Sequence, residues 1–489
     1  MFVNYEPLLT GFPRTLFGRA KRSEQDSFTK KKAKLSKLPT GALAKLAEPL
    51  LEPEFMTSIS QSKRRRIYDD VSVFWAWIGQ ILESNSSCNS AVQEISSSRR
   101  LADLKRPSAA TGAYCRARER LSIGFLEKVA ERLHQRISEN IDANNLWGGL
   151  ELKAIDGSSV QLLDTPANQE AFPQPPQQKE GCGFPVMGIC SVLNCSSGAW
   201  ENVTTSKWSR HDMQGAYDML DSYSEGDLMI ADRAFCAYGL MVALQQQGAE
   251  SLMRLHQARA KALDWRRGKK ISPNQRLVTW KKGTRSKNSP FTKKEWDAMP
   301  KELTVRLIRV KYLNREKKKS TMYLATSLLD HVKYTEEKAG EIYLRRWAIE
   351  LSFRDLKTSL NLELLRVKDP DMATKTLMIA IIAYNLVKAL AQQSCLRHGK
   401  SLASVSFKES VDTILKNQIV YVGLGKSKRA RVELYDELLE LLSQKSLVFR
   451  PGRWEPRALK RRPKGYQLLT KPRHEFIEIQ HRYTYKRGA

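Results

Sequence analysis

The chain has 489 residues, and 82 Lys and Arg against 52 Asp and Glu leave a formal charge of 82 − 52 = +30. Hydrophobic residues make up 41%, enough to build real cores, so wholesale disorder is excluded. So large a positive excess argues against a small-molecule enzyme and for a polyanionic partner such as DNA, RNA or an acidic membrane surface.

Residues 1–66 are basic and weakly periodic, with Lys30-Lys31-Lys32 and Lys63-Arg64-Arg65-Arg66 as clusters, and read as an arm that could lie along phosphates. From Ile67 to about Asn145 the pattern is helical, with Val71, Phe74, Trp75, Ile78 and Leu82 at three- and four-residue steps. Within it, Thr111–Leu121 reads as a capped helix with an Arg-rich face, either groove-entering or laced with surface salt bridges. Strands begin at Leu152–Ile155, and Phe184–Leu193 and Ala199–Thr204 flank the hairpin signal Asn194–Gly198. A helix near Met213–Tyr223, the apolar strand Leu228–Ala231 and a helix near Tyr238–Gln247 follow. Residues 250–334 are β-rich and basic, with Trp265, Trp280 and Trp296; Lys261–Lys287 alone holds ten Lys or Arg and one acid. Helical periodicity returns from Thr335 to about Gln393, and Arg450–Ala489 is a basic tail.

Within that last helical stretch, Thr376–Val387 is the most apolar segment, but it falls short of the ~20 residues that span a bilayer and contains Asn385, so it reads as a buried core helix. No apolar segment with a small-residue cleavage site marks the beginning of the chain, and a cytoplasmic protein is expected. Seven cysteines include no CxxC pair, and Cys182, Cys190 and Cys195 lack a His at ligand spacing; they read as reduced thiols.

Three carboxylates stand out by position. Asp156 ends the first strand of the mixed region and Asp232 ends a fully apolar one, so both could meet at a sheet rim; singly, each would read as a turn residue or helix cap. The third, Glu350, lies in Glu341–Leu360, read as one continuous helix. With Tyr343 at zero, Arg346 falls at roughly 300°, Glu350 at roughly 340°, Lys357 at roughly 320° and Arg354 near 20°. Ile342, Ile349, Phe353, Leu356 and Leu360 flank this stripe on one side, and Leu344, Trp347 and Leu351 on the other; Glu341, Arg345, Ser352 and Asp355 form the wet face. A charged stripe between apolar flanks is costly unless paired or bound. Either Glu350 pairs with Arg346 or Arg354, or the stripe is a charged floor facing phosphate and metal. Carboxylates without a His or Cys set suit Mg²⁺ or Mn²⁺, two of which can clamp an in-line displacement at phosphorus. Tyr343, Arg346 and Lys357 would then position phosphates.

The spacing Tyr343-x2-Arg346-x3-Glu350-x6-Lys357 resembles the YREK signature of the IS4 family of bacterial DDE transposases. Asp156-Gly157-Ser158, Asp164–Asn168, Gly181–Pro185, Ala231-Asp232-Arg233 and Arg450–Arg457 are similar to that family as well. The resemblance implies an α/β fold: an RNase H-like catalytic core interrupted by a β-rich insertion, with an α-helical N-terminal DNA-binding domain and a helical C-terminal region. The implied divisions are a basic arm at 1–66, helical domain at 67–147, core at 148–249, insertion at 250–334, core with the Glu helix at 335–400 and helical, basic tail at 401–489.

It further implies that Asp156, Asp232 and Glu350 are the catalytic metal ligands, taking Mg²⁺ or Mn²⁺, with two ions expected. Tyr343, Arg346, Lys357 and Arg354 would contact DNA near the transposon end. Trp280, with Trp265 and Trp296 as rivals, would stack on an extruded base. Arg210, with Lys207 and His211, is a phosphate-contact candidate or a surface cluster; Asp164 more simply organises the Asp-Thr-Pro turn. The implied partners are terminal inverted repeats and target DNA, with a homodimer in the synaptic complex, no membrane, and a bacterial, nucleoid-associated location. The rival readings are an inactive or domesticated DNA-binding repressor and a generic RNase H-like nuclease.

Overall fold

The structure, a computed structural model, describes residues 41–62, 66–101, 104–286, 289–313, 319–424, 427–445, 447, 469–472 and 475. Residues 1–40, Lys63–Arg65 and the Arg450–Arg457 motif lie outside the described residues, and with them most of the expected basic arm. The described residues form two compact units, one drawn from 41–80 and 86–121 and one from 81–85 and 122 onward. The division expected near residue 147 therefore falls before the helix Ile123–Ser138. That helix turns Phe125, Leu126, Val129, Leu133 and Ile137 inward at three- and four-residue steps, and Gln392 of the larger unit donates to its Ile137 carbonyl.

The smaller unit is helical. Asp70–Leu82 buries Val73, Phe74, Trp77 and Ile78, and Gly112–Arg120 contributes Tyr114. The Arg-rich face expected on the latter is only partly outward. Arg118 is buried with its guanidinium 3.9 Å from the Trp77 ring centre, leaving Arg116 and Arg120 exposed.

The larger unit is mixed α/β around one ten-stranded sheet. Its strands are β1 (Glu151–Leu162), β2 (Val186–Asn194), β3 (Ala199–Lys207), β4 (Asp227–Ala231), β5 (Glu250–Arg254), β6 (Lys269–Ser272), β7 (Gln275–Lys281), β8 (Glu302–Leu313), β9 (Lys319–Thr326) and β10 (Leu364–Leu365). They run in the order β3-β2-β1-β4-β5-β9-β8-β7-β6, with β10 paired to the far end of β1. β1, β4 and β5 are parallel, and every other neighbour on that path is antiparallel. The β2–β3 hairpin turns through Gly198, whose φ of 72° suits a residue without a Cβ. β5 pairs in parallel with β4, so the β-rich segment expected from residue 250 begins with a strand of the central sheet; β9 to β6 then continue that sheet.

β4 is buried on both faces, as parallel central strands are. Met229 and Ala231 pack with Ile155, Leu240 and Met253 on one face; Leu228 and Ile230 pack with Leu152, Ile342 and Tyr343 on the other. The long helix Pro370–His398 is apolar and long enough to cross a membrane, but 72% of its most apolar window is buried inside the protein. Its Asn385 is satisfied there: the side chain bonds the Trp200 amide and carbonyl of β3 at 2.9 and 2.8 Å.

Candidate active site

Strand pairing brings the two aspartates to one rim. β1 pairs with β4 only through Glu151–Ala154, so Asp156 lies just past the shared ladder, and Asp232 follows the last residue of β4. Side chains alternate along a strand. Asp156 therefore shares the face of Leu152, and Asp232 that of Leu228 and Ile230, which is the face covered by Ile342 and Tyr343. Asp232 accepts from the Ala234 amide at 2.7 Å, and Asp156 from the Gly157 amide at 2.9 Å.

The segment expected to be one helix is three pieces. Glu336–Leu344 ends at a turn, Trp347–Arg354 follows, and Asp355–Ser359 is π-helical. Across the turn the amides of Arg345, Arg346, Ala348 and Ile349 bond back three residues rather than four. Each tightened residue advances the helix by more than the α value, whereas the wider π turn, closed by the Leu360 amide on the Asp355 carbonyl at 3.0 Å, advances it by less. The continuous wheel therefore loses phase. Ile342, Ile349, Phe353, Leu356 and Leu360 are buried as expected, but Leu344, Trp347 and Leu351 on the other flank are exposed. Ser352, assigned to the wet face, is buried and accepts from Tyr384 Oη at 2.8 Å.

The turn places Arg346 between two of the carboxylates. Its Nη1 donates to Asp156 Oδ2 at 3.2 Å and its Nη2 to Glu350 Oε1 at 2.8 Å. The internal Glu350–Arg346 pair weighed from the sequence is thus present, widened into a bridge to β1. Burial pushes the Asp156 carboxyl up to about 6, with the Asp232 and Glu350 charges adding to the rise and the Gly157 amide and Arg346 opposing it. All three carboxylates therefore act in one electrostatic field. Among the described residues, no three His, Cys, Asp or Glu side chains stand close enough to share a metal ion. The donor set is nonetheless oxygen-only and suits a hard divalent cation, and the charge between Asp156 and Glu350 is supplied here by a guanidinium.

Tyr343 is buried and hydrogen-bonded to Arg346, and burial raises its hydroxyl pKa. Lys357 and Arg354 line a cleft of about 370 Å³ with Asp156, Gly157, Ser158 and Glu350. Burial pulls the Lys357 ammonium pKa down, against the charge of Glu363. Arg210 lines a second cleft of about 420 Å³ with His211 and Gly157–Ser159, and is engaged by Asp218 at 2.6 Å. Trp280 is not brought to the carboxylates by any described contact. It lies on β7, five strands from β1 in the sheet order, with Arg259 stacked 4.1 Å from its ring centre. Trp265 lies against Tyr323, and Trp296 packs near Phe291 and Tyr238. Asp164 accepts from Gln169 at 2.8 Å, beside the Thr165 cap of Pro166–Ala171.

One residue of this region escaped the sequence reading. Asp212 packs on Gly157 so closely that a Cβ there would lie 2.3 Å from its Oδ1. The only sequence signal was a Gly directly after Asp156, which lies within β1 and not, as expected, at a strand end.

Residues 147–386 match the family described as transposase DDE domain. The chain is 24% identical over 415 residues to the transposase InsG of insertion sequence element IS4 from Escherichia coli K12, spanning 84% of this chain and 89% of that one. A putative transposase of element IS4SA from Synechocystis is 21% identical over 315 residues, 64% of this chain and 80% of its own. A solved synaptic complex of the piggyBac transposase with hairpin DNA aligns over 85% of this chain and 87% of its own, at 11% identity and a TM-score of 0.40. On the sequence matches alone, residues 147–386 are a transposase DDE domain, the domain of enzymes that cut and transfer DNA. Within that class its long matches are to transposases of IS4-type elements, to which the chain is similar. Enzymes of this class depend on divalent metal.

Proposed function

We propose that the chain catalyses cut-and-paste transposition of an insertion sequence, with Asp156, Asp232 and Glu350 as the ligands of two Mg²⁺ or Mn²⁺ ions in an RNase H-like core. The strand order β3-β2-β1-β4-β5, with β2 and β3 antiparallel to their neighbours, supports that core reading. The observation that carries the site assignment is the Arg346 bridge from Asp156 to Glu350, in the field of Asp232. Bound there, the ions would activate water for strand cleavage and neutralise charge developing at phosphorus.

The residues around the carboxylates do the positioning. Arg346 is a rigid fork held by two carboxylates and by Tyr343; a phosphate oxygen can replace either carboxylate in the same geometry. Lys357 and Arg354, on the wall of the cleft that Asp156 and Glu350 also line, would hold the flanking backbone of a terminal inverted repeat. Arg210 can reach phosphate only by giving up Asp218. Trp280 can stack on a base only where Arg259 leaves its ring. Pairing of two ends calls for two copies of the chain, giving a homodimeric synaptic complex that also receives target DNA.

The test is cleavage of end DNA by Asp156→Ala, Asp232→Ala and Glu350→Ala. Each is expected to lose about 10³-fold or more in Mg²⁺-dependent cleavage while still retarding the same DNA in a gel. Wild-type cleavage by any one of them would falsify its assignment as a ligand.

A further inference from the structure

The smaller unit holds two neighbouring thiols. Cys88 opens the helix Cys88–Leu101 and Cys115 lies within Gly112–Arg120; both are free and half-buried. The Cys115 thiol has the Cys88 side chain as its neighbour. The Cys88 sulfur also accepts from Arg118 Nη1 at 3.2 Å and from Gln80 Nε2 at 3.9 Å. Arg118 is only 8% exposed and stacks 3.9 Å from the Trp77 ring centre, so packing fixes its cation against that sulfur. The Arg118 Nε has no hydrogen-bond partner. An aromatic shelf, a buried guanidinium and two neighbouring thiols form an arrangement that a purely apolar helix contact would not need. Negative charge that develops on the Cys88 sulfur during reaction falls beside a fixed positive group.

We propose that Cys88 and Cys115 are a peroxide-sensitive dithiol that closes to an intramolecular disulfide. The Cys88 sulfur attacks one peroxide oxygen, the O–O bond breaks, and Cys88 sulfenic acid and one water form. The Cys115 sulfur then attacks the Cys88 sulfur and expels the second water. Two thiols lose two electrons and two protons, and one peroxide is reduced to two waters. The bond ties the first turn of one helix to the middle of the other.

The experiment uses reduced full-length protein treated with hydrogen peroxide, quenched with N-ethylmaleimide and digested for peptide mapping. The expected product is a peptide pair linked through Cys88 and Cys115, with two thiols lost per chain and restored by dithiothreitol. Cys115→Ser is expected to trap a dimedone-reactive sulfenic acid at Cys88, and Cys88→Ser to leave Cys115 unlabelled. The wild-type mapping needs no variant to fold. Full alkylation of both cysteines after peroxide, or a dominant link to any other cysteine, would overturn the proposal.

Discussion

Two buried arginines separate the halves of the central sheet. Arg306 on β8 is fully buried and held by neutral groups: its Nε donates to Gln275 Oε1 at 2.7 Å and its Nη1 to the Leu328 carbonyl at 3.2 Å. Burial pulls it down to about 10, against the charges of Glu336 and Asp330. Arg346, beside β1, is 9% exposed and held by two carboxylates, which with Tyr343 raise its pKa despite burial. The first is a structural bolt held by uncharged acceptors. The second is a cation among acids that could each bind something else. Charge compensation by groups able to change partner, rather than burial alone, distinguishes the half of the sheet proposed to carry the chemistry.

The sharpest way to break this contrast is Arg306→Ala. It should cost about 3–5 kcal/mol, because it empties a filled core position and strands buried acceptors. Denaturant titration measures it, and a loss below about 1 kcal/mol would remove the contrast. Arg346→Ala should cost only about 1 kcal/mol, since Glu350 is partly exposed, yet suppress cleavage of end DNA far more than Arg306→Lys does.

The Asp156 carboxyl gives a pH test. Its folded pKa, about 6, lies above the ordinary unfolded value, so the folded state holds the extra proton between about pH 4 and 6. Stability from this group is present below that window and falls as pH rises through it, by about 3 kcal/mol in total. Asp156→Asn should flatten that slope in thermal melts across pH 4–7; an unchanged slope would contradict the shared field. Gly157→Ala should cost about 1–3 kcal/mol, because its Cβ would meet Asp212 Oδ1 at 2.3 Å, and adding Asp212→Ala should recover most of the loss. The smallest effect is expected from Arg259→Ala. It should uncover Trp280, costing about 0.5–1 kcal/mol, with a change in tryptophan fluorescence.

The primary sequence carried what depends on local order. Asp232 was legible because a short apolar run ending in Asp presents that residue where the strand stops; Asp156, expected at a strand end, lies within β1, which runs on to Leu162, and only its pairing with β4 stops before it. The buried flank Ile349–Phe353–Leu356 was legible from helical spacing. Contacts between distant segments were not written in any local pattern. The three-residue hydrogen bonds at Arg345–Ile349 and the π turn at Asp355–Ser359 rephase the Glu350 helix, because its carbonyls and side chains answer to Cys195, Asn145 and Tyr384 from other elements. The same holds for Arg118, read from spacing as part of an outward face but turned inward by Trp77 and Cys88, and for Asp212 on Gly157. Periodicity reports which face of a segment is apolar; which charge meets which is set only when the sheet and its helices close around them.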